Sequence, residues 1–183
     1  MINSRWLVVA CLVSLFTLPG TLTRGAADEA PAEDQLPRPF TAEQIRDAWV
    51  EGLTLELRRV MQEGETRERW TVVSADAEGA VIEFAPVDAK GQVTGDSARH
   101  RSTWNELRDH ATFPAATANR TEATRETALG EFDGWLYTVT DAAQGTVTEL
   151  FFARALPGAP LEMKVTQAGR TVMEMTQVSR SNR

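Results

Sequence analysis

His100 and His110 are the only histidines in the chain, and Asp96, Ser97, Glu106 and Asp109 lie close to them in sequence. Imidazoles with a carboxylate can hold zinc, and a serine, a histidine and an acid make up a hydrolytic triad. The spacing argues against both. Metal motifs on one element place their ligands three or four residues apart, and these histidines are further apart than that. Ser97 lacks the Gly-x-Ser-x-Gly elbow that exposes a nucleophile. The histidines therefore read as surface or capping residues, and Asp96-Ser97 as part of a turn. Glu149, inside TVTELFF, is the one acid set in a strongly apolar strand. If Val147 and Phe151 face the core, Glu149 does too, and an arginine partner is expected for it. A glycosidase-type carboxylate pair is not singled out among the 26 acids. No glycine-rich phosphate loop, HExxH or EF-hand spacing is present. This reading assigns no catalytic residue, no metal ligand and no cofactor.

A second group of residues points to binding rather than catalysis. Trp49, Trp135, Tyr137, Phe151, Met163, Met173 and Met175 are large, apolar and spread over several expected elements. Methionine adapts to irregular ligands, and a curved sheet with a helix across its mouth can enclose an apolar pocket. These seven are the candidate ligand-binding residues. The plainer alternative is that they form the core of a domain of this size.

The elements that would position them follow from local signals. Thr41 with Gln44 forms a capping box and Phe40 with Ile45 a hydrophobic staple, which predicts a helix from Ala42 to about Glu51 ending at Gly52. Ile45, Ala48 and Trp49 give it one apolar stripe. Beyond Gly52 the period changes to that of strands, in LTLELRRVMQ, RERWTVVSAD, AVIEFAPVD and QVTGDSARHRS, with EGET, AEG and AKG as turns. TWNE at Thr103–Glu106 is a second capping box, opening a short helix that Phe113-Pro114 ends. AATANRTEAT reads as a polar surface crossing. EFDGWLYTVTD, GTVTELFFARA, PLEMKVTQ and TVMEMTQVS form the clearer half of the sheet. Leu161, Met163 and Val165 alternate there with Glu162, Lys164 and Thr166, leaving one face wet.

The N-terminus sets the compartment. Basic MINSR, the apolar run from Trp6 to Pro19 and a small-residue exit have the layout of a secretory signal, with cleavage expected before Asp28. The run is too short and interrupted to span a bilayer, so no stable membrane span is expected after cleavage. Cys11, the only cysteine, would leave with residues 1–27, and no disulfide or thiolate site would remain. The formal charge is −7 and becomes more negative once Arg5 and Arg24 are lost, so nucleic acid is not an expected partner. Residues 28–39 are acidic and proline-rich, as in a disordered linker, and residues 40–183 form one β-rich domain.

The segment from about residue 124 carries a pattern built from Gly130 and Phe132, the aromatic strand of Trp135 and Tyr137, Phe151-Phe152-Ala153 and the Pro157-Gly158 turn. It resembles an uncharacterised family of exported bacterial proteins, similar to periplasmic lipoprotein-carrier-like half-barrels. The resemblance implies the fold and, more distantly, an apolar ligand, and it carries over no site residue. The sequence reading is thus an α+β domain: one strongly curved antiparallel half-barrel sheet of about eight or nine strands with one or two short helices. Its expected role is that of an exported periplasmic or secreted protein, non-catalytic, that binds a hydrophobic small molecule, lipid or partner segment in the concave face. The alternatives are an interaction or structural module of the cell envelope, and a hydrolase with an unrecognised site.

Overall fold

The structure, a computed structural model, describes residues 34–182. The expected leader, its cleavage point and the first half of the acidic linker, residues 28–33, lie outside the described residues. Two short helices, α1 (Ala42–Ala48) and α2 (Trp104–Asp109), accompany nine strands. The strands are β1 (Leu53–Met61), β2 (Gly64–Ala75), β3 (Gly79–Val87), β4 (Ala98–Thr103), β5 (Ala118–Thr127), β6 (Gly130–Asp141), β7 (Thr146–Ala153), β8 (Glu162–Gln167) and β9 (Arg170–Asn182). All belong to one antiparallel sheet in the order β4-β3-β2-β1-β9-β8-β7-β6-β5. Two meanders, β1–β4 and β5–β9, meet at a central seam where β1 pairs with β9.

The sheet is an open half-barrel, and its curl follows from what it buries. One apolar cluster unites Leu53 and Leu55 of β1, Val72 of β2, Ala80 and Ile82 of β3, and Tyr137 and Phe152 of β6 and β7. Strands β3 and β6 stand six places apart in the sheet, which at about 4.8 Å per strand would separate them widely if it were flat. Residues from both can share one core only because the sheet wraps around the helices. Phe40, Ile45 and Trp49 of the α1 region and Trp104 of α2 fill the trough from above. Both helix starts are fixed by reciprocal capping boxes, Thr41 with Gln44 and Thr103 with Glu106. A smaller cluster, Phe151, Ala153 and Leu161, lies on the outer face with Phe132 and Leu136 against it.

Four local expectations change. α1 stops at Ala48, because Trp49 leaves helical geometry as the C-cap to reach the turn at Pro157. The AKG turn does close a tight hairpin, with Gly91 N–H donating to the Asp88 carbonyl, the Asp88 side chain accepting from the amides of Lys90 and Gln92, and Val87 bridging Val93, but the strand expected beyond it is broken and only Ala98–Thr103 continues as β4. AATANRTEAT is mostly strand β5, an edge strand with polar residues on both faces, so its sequence offers no apolar alternation to detect. Residues 34–39 are held against the domain: Gln35 bridges Pro114, Leu36 N–H donates to Phe113, and the Tyr137 hydroxyl donates to the Pro37 carbonyl.

Gly158 shows how closely α1 is seated. Its φ is +118°, and a Cβ there would lie 2.0 Å from Trp49 Nε1. Trp49 Nε1 donates to the Pro157 carbonyl at 2.9 Å, so the turn and the helix end form one unit. Gly158→Ala combines a strained backbone with a clash and is expected to cost about 2–4 kcal/mol, read as a lower urea midpoint at unchanged slope. An unchanged midpoint would show that α1 is not packed on this turn.

Candidate functional site

Residues paired across strands share a face, so the registers sort the candidate residues. Trp135 stands opposite Phe152. Tyr137, Leu150, Met163, Met175 and Arg59 form one continuous row from β6 to β1. The next row outward is Val139, Thr148, Val165, Met173 and Met61. All of these lie on the face that carries the helices. Phe151 belongs to a different row, Leu136–Phe151–Glu162–Thr176, on the outer face. The seven candidate residues therefore do not converge. Trp49, Trp135 and Tyr137 are in or against the trough core, Met163, Met173 and Met175 lie beyond it, and Phe151 is behind the sheet.

The inner part of the trough is solid. Phe40 meets Trp135 and Phe152 edge-on at 5.8 and 6.3 Å, Tyr137 meets Phe152 at 5.5 Å, and Phe113 lies 4.9 Å from Tyr137. Such offset and edge-on ring pairs add stability beyond the area they bury. The outer part of the trough is different. In the row Val139, Thr148, Val165, Met173 and Met61 every residue is half-buried, and so are Leu150 and Met163 in the row behind it. This methionine-rich strip is the apolar concave surface that the helices leave uncovered. Met61, Leu150, Val139 and Val165 belong to it and are not among the seven candidate residues; their signal was the period-two alternation of four strands, which needs the register to become a surface.

Two recesses stand out, and both open on the outer face. One, of about 190 Å³, is lined by Leu136, Phe151, Arg125, Glu162, Lys164 and Glu174 among others. The second, of about 240 Å³, is polar, with Thr54, Glu56, Arg69, Thr71, Ser179 and Ser181 around it. Glu149 lines the first recess opposite Lys164, so its charge stands outside the main core and across from a lysine rather than an arginine. His100 is exposed on β4 and His110 caps α2. Among the described residues no group of three His, Cys, Asp or Glu side chains is placed to hold a metal, and no helix is long and apolar enough to cross a membrane.

The Tyr137 surroundings are the most perturbed electrostatically. Burial pushes its phenol up to about 12, against a small opposing effect of Arg120. The Arg120 guanidinium lies 4.8 Å over the Trp135 ring and 5.8 Å over Tyr137, and Arg154 lies 5.0 Å over Trp135 while pairing with Glu122 at 2.6 Å. These contacts cover the β5–β6 side of the core.

No protein-family model matches this chain, and no curated protein matches its sequence. Solved structures do match. MucB in complex with MucA(peri) has a TM-score of 0.52 at 11% identity, covering 77% of this chain and 54% of that one. MucB alone has a TM-score of 0.51 at 11% identity, covering 76% and 56%. The likeness is one of fold. A Bacteroides fragilis protein with a YmcC-like fold also matches, at a TM-score of 0.45 and 9% identity over 72% of this chain and 96% of that one. The chain spans about half the length of the MucB structures.

Because Tyr137 is the only tyrosine, its titration can be read directly. Its phenol is favoured in the protonated form by folding, so the stability it contributes is complete below pH 10 and is lost as pH rises towards about 12. Ultraviolet difference titration is expected to show the phenolate forming near pH 12; a transition near pH 10 in the folded protein would show that the ring is not buried. Tyr137→Phe removes the bond to Pro37 and is expected to cost about 1 kcal/mol, with faster amide exchange in residues 34–39.

Proposed function

We propose that this chain is an exported, non-catalytic binding module that takes an apolar partner segment along the methionine-rich strip of its concave face. The observation that carries this reading is the row Met61, Met173, Val165, Thr148 and Val139 with Leu150 and Met163 behind it: an apolar surface across five strands, half-open, beside a trough core already filled with rings. A closed lipid chamber would need space where Phe40, Tyr137 and Phe152 stand. A polypeptide segment needs only an open strip, and unbranched thioethers adjust to varied side chains. The free edge of β5 and the acidic surface offer further contacts to such a segment. The likeness in fold to MucB, solved in complex with MucA(peri), fits a partner that is a polypeptide.

The test is anisotropy of a labelled peptide with alternating leucines, compared with a polar scramble of the same length. The apolar peptide is expected to bind, and Met163→Glu with Met173→Glu to weaken it by roughly 10–100-fold. Both residues are half-exposed, so the melting temperature is expected to change little. Equal binding of both peptides, or full binding by the double variant, would overturn the reading. Recovery of a solvent-extractable lipid bound at the same strip would replace the polypeptide partner with a lipid.

A further inference from the structure

The seam between β1 and β9 holds polar groups for which the fold supplies no partner. Gln177 is fully buried, yet among the described residues neither its Nε2 nor its Oε1 has a hydrogen-bond partner. Arg180, beyond the point where the β1–β9 register shifts, has its Nη1 buried and equally without a partner. The two residues stand opposite Leu57 and Leu55, alternate residues of β1, and so lie about 7 Å apart on the concave face. Arg180 Nη2 makes a long bond of 3.4 Å to the Pro157 carbonyl, which already accepts Trp49 Nε1 at 2.9 Å. Burial alone holds the Arg180 guanidinium below the usual arginine range, and among the described residues no carboxylate forms an ion pair with it.

Buried amides and guanidinium groups are almost always satisfied, by the chain, by water or by a bound group, so these atoms need a partner from outside the described chain. The three unused atoms have a definite complement. Arg180 Nη1 is a cationic donor, Gln177 Nε2 a neutral donor and Gln177 Oε1 an acceptor. An anion with two acceptor oxygens satisfies the donors, and one N–H or O–H beside it satisfies the acceptor.

We propose that this seam, beneath the Pro157–Gly158 turn, is a binding site for an α-amido or α-hydroxy carboxylate. Arg180 Nη1 and Gln177 Nε2 donate to the carboxylate, and Gln177 Oε1 accepts the hydrogen on the adjacent nitrogen or oxygen. Arg180 Nη2 keeps its long bond to the Pro157 carbonyl while Nη1 takes the carboxylate. The C-terminal residue of a polypeptide carries this pair of groups, and so does a small hydroxy acid. The site lies on the seam, one row behind the methionine strip, and does not depend on the strip having an occupant.

The test is calorimetric titration of the full exported chain with N-acetyl-leucyl-methionine, its C-terminal amide, lactate and acetate. The free-acid peptide, lactate or both are expected to bind, with the amide and acetate at least about tenfold weaker. Which of the two binds separates a polypeptide terminus from a small acid. Gln177→Leu removes the orphaned amide with little change in shape, so it is expected to keep or raise the melting temperature while lowering affinity at least about tenfold. Arg180→Gln is expected to weaken the acid and leave the amide unchanged. Absence of heat with every probe at millimolar concentration, equal binding of acid and amide, or undiminished binding by Gln177→Leu would overturn the proposal. Binding of the alternating-leucine peptide is read separately, so either reading can fail alone.

Discussion

Tyr137 is the point where three separately arriving pieces of chain are fixed together. Its ring meets Phe113 of the crossing segment and Phe152 of the neighbouring strand, and its hydroxyl holds the Pro37 carbonyl of the N-terminal segment. A phenol buried this completely must satisfy its O–H, and the only way to do so here is to bring the chain before α1 down onto the sheet. That contact fixes Phe40 against Trp135 and Phe152, and Phe40 in turn seats α1. The helices stay in the trough because this corner is closed.

Once the inner trough is filled by rings, the two kinds of large side chain divide the concave face between them. Aromatic residues are rigid and fit the fixed space under α1 and α2, while methionines and β-branched residues pave the part with no permanent cover. The sequence presents both kinds as one inventory. Only the register shows that they serve different ends, and that Phe151, one position away from Phe152, belongs to the opposite face.

The helix starts were legible because capping boxes are local and chemically specific, and the hairpin halves because turn glycines and alternation repeat within a few residues. β5 was not legible: as an edge strand with polar residues on both faces, ANRTEATRET has no periodicity to distinguish it from a loop. The hold on residues 34–39 was hidden for a related reason, since a proline-rich segment gives no sign that a tyrosine hydroxyl a hundred positions away will donate to its carbonyl. The orphaned Gln177 and Arg180 were invisible as well, because an unpaired group is defined by what surrounds it.

The central seam has a consequence for how the molecule comes into being. β1 follows directly after α1, whereas its partner β9 ends the described chain, so the middle of the sheet is made from its two extremes. Each meander can pair from local contacts, but the halves cannot join until β9 is present. Loop-closure entropy delays such long-range pairing and makes it the slow step of assembly. A chain threaded through a translocon from its N-terminus would therefore remain as two incomplete sheets, each with an open edge, until β9 emerged on the far side. The same order of pairing that complicates folding would keep such a chain open for as long as only part of it had emerged.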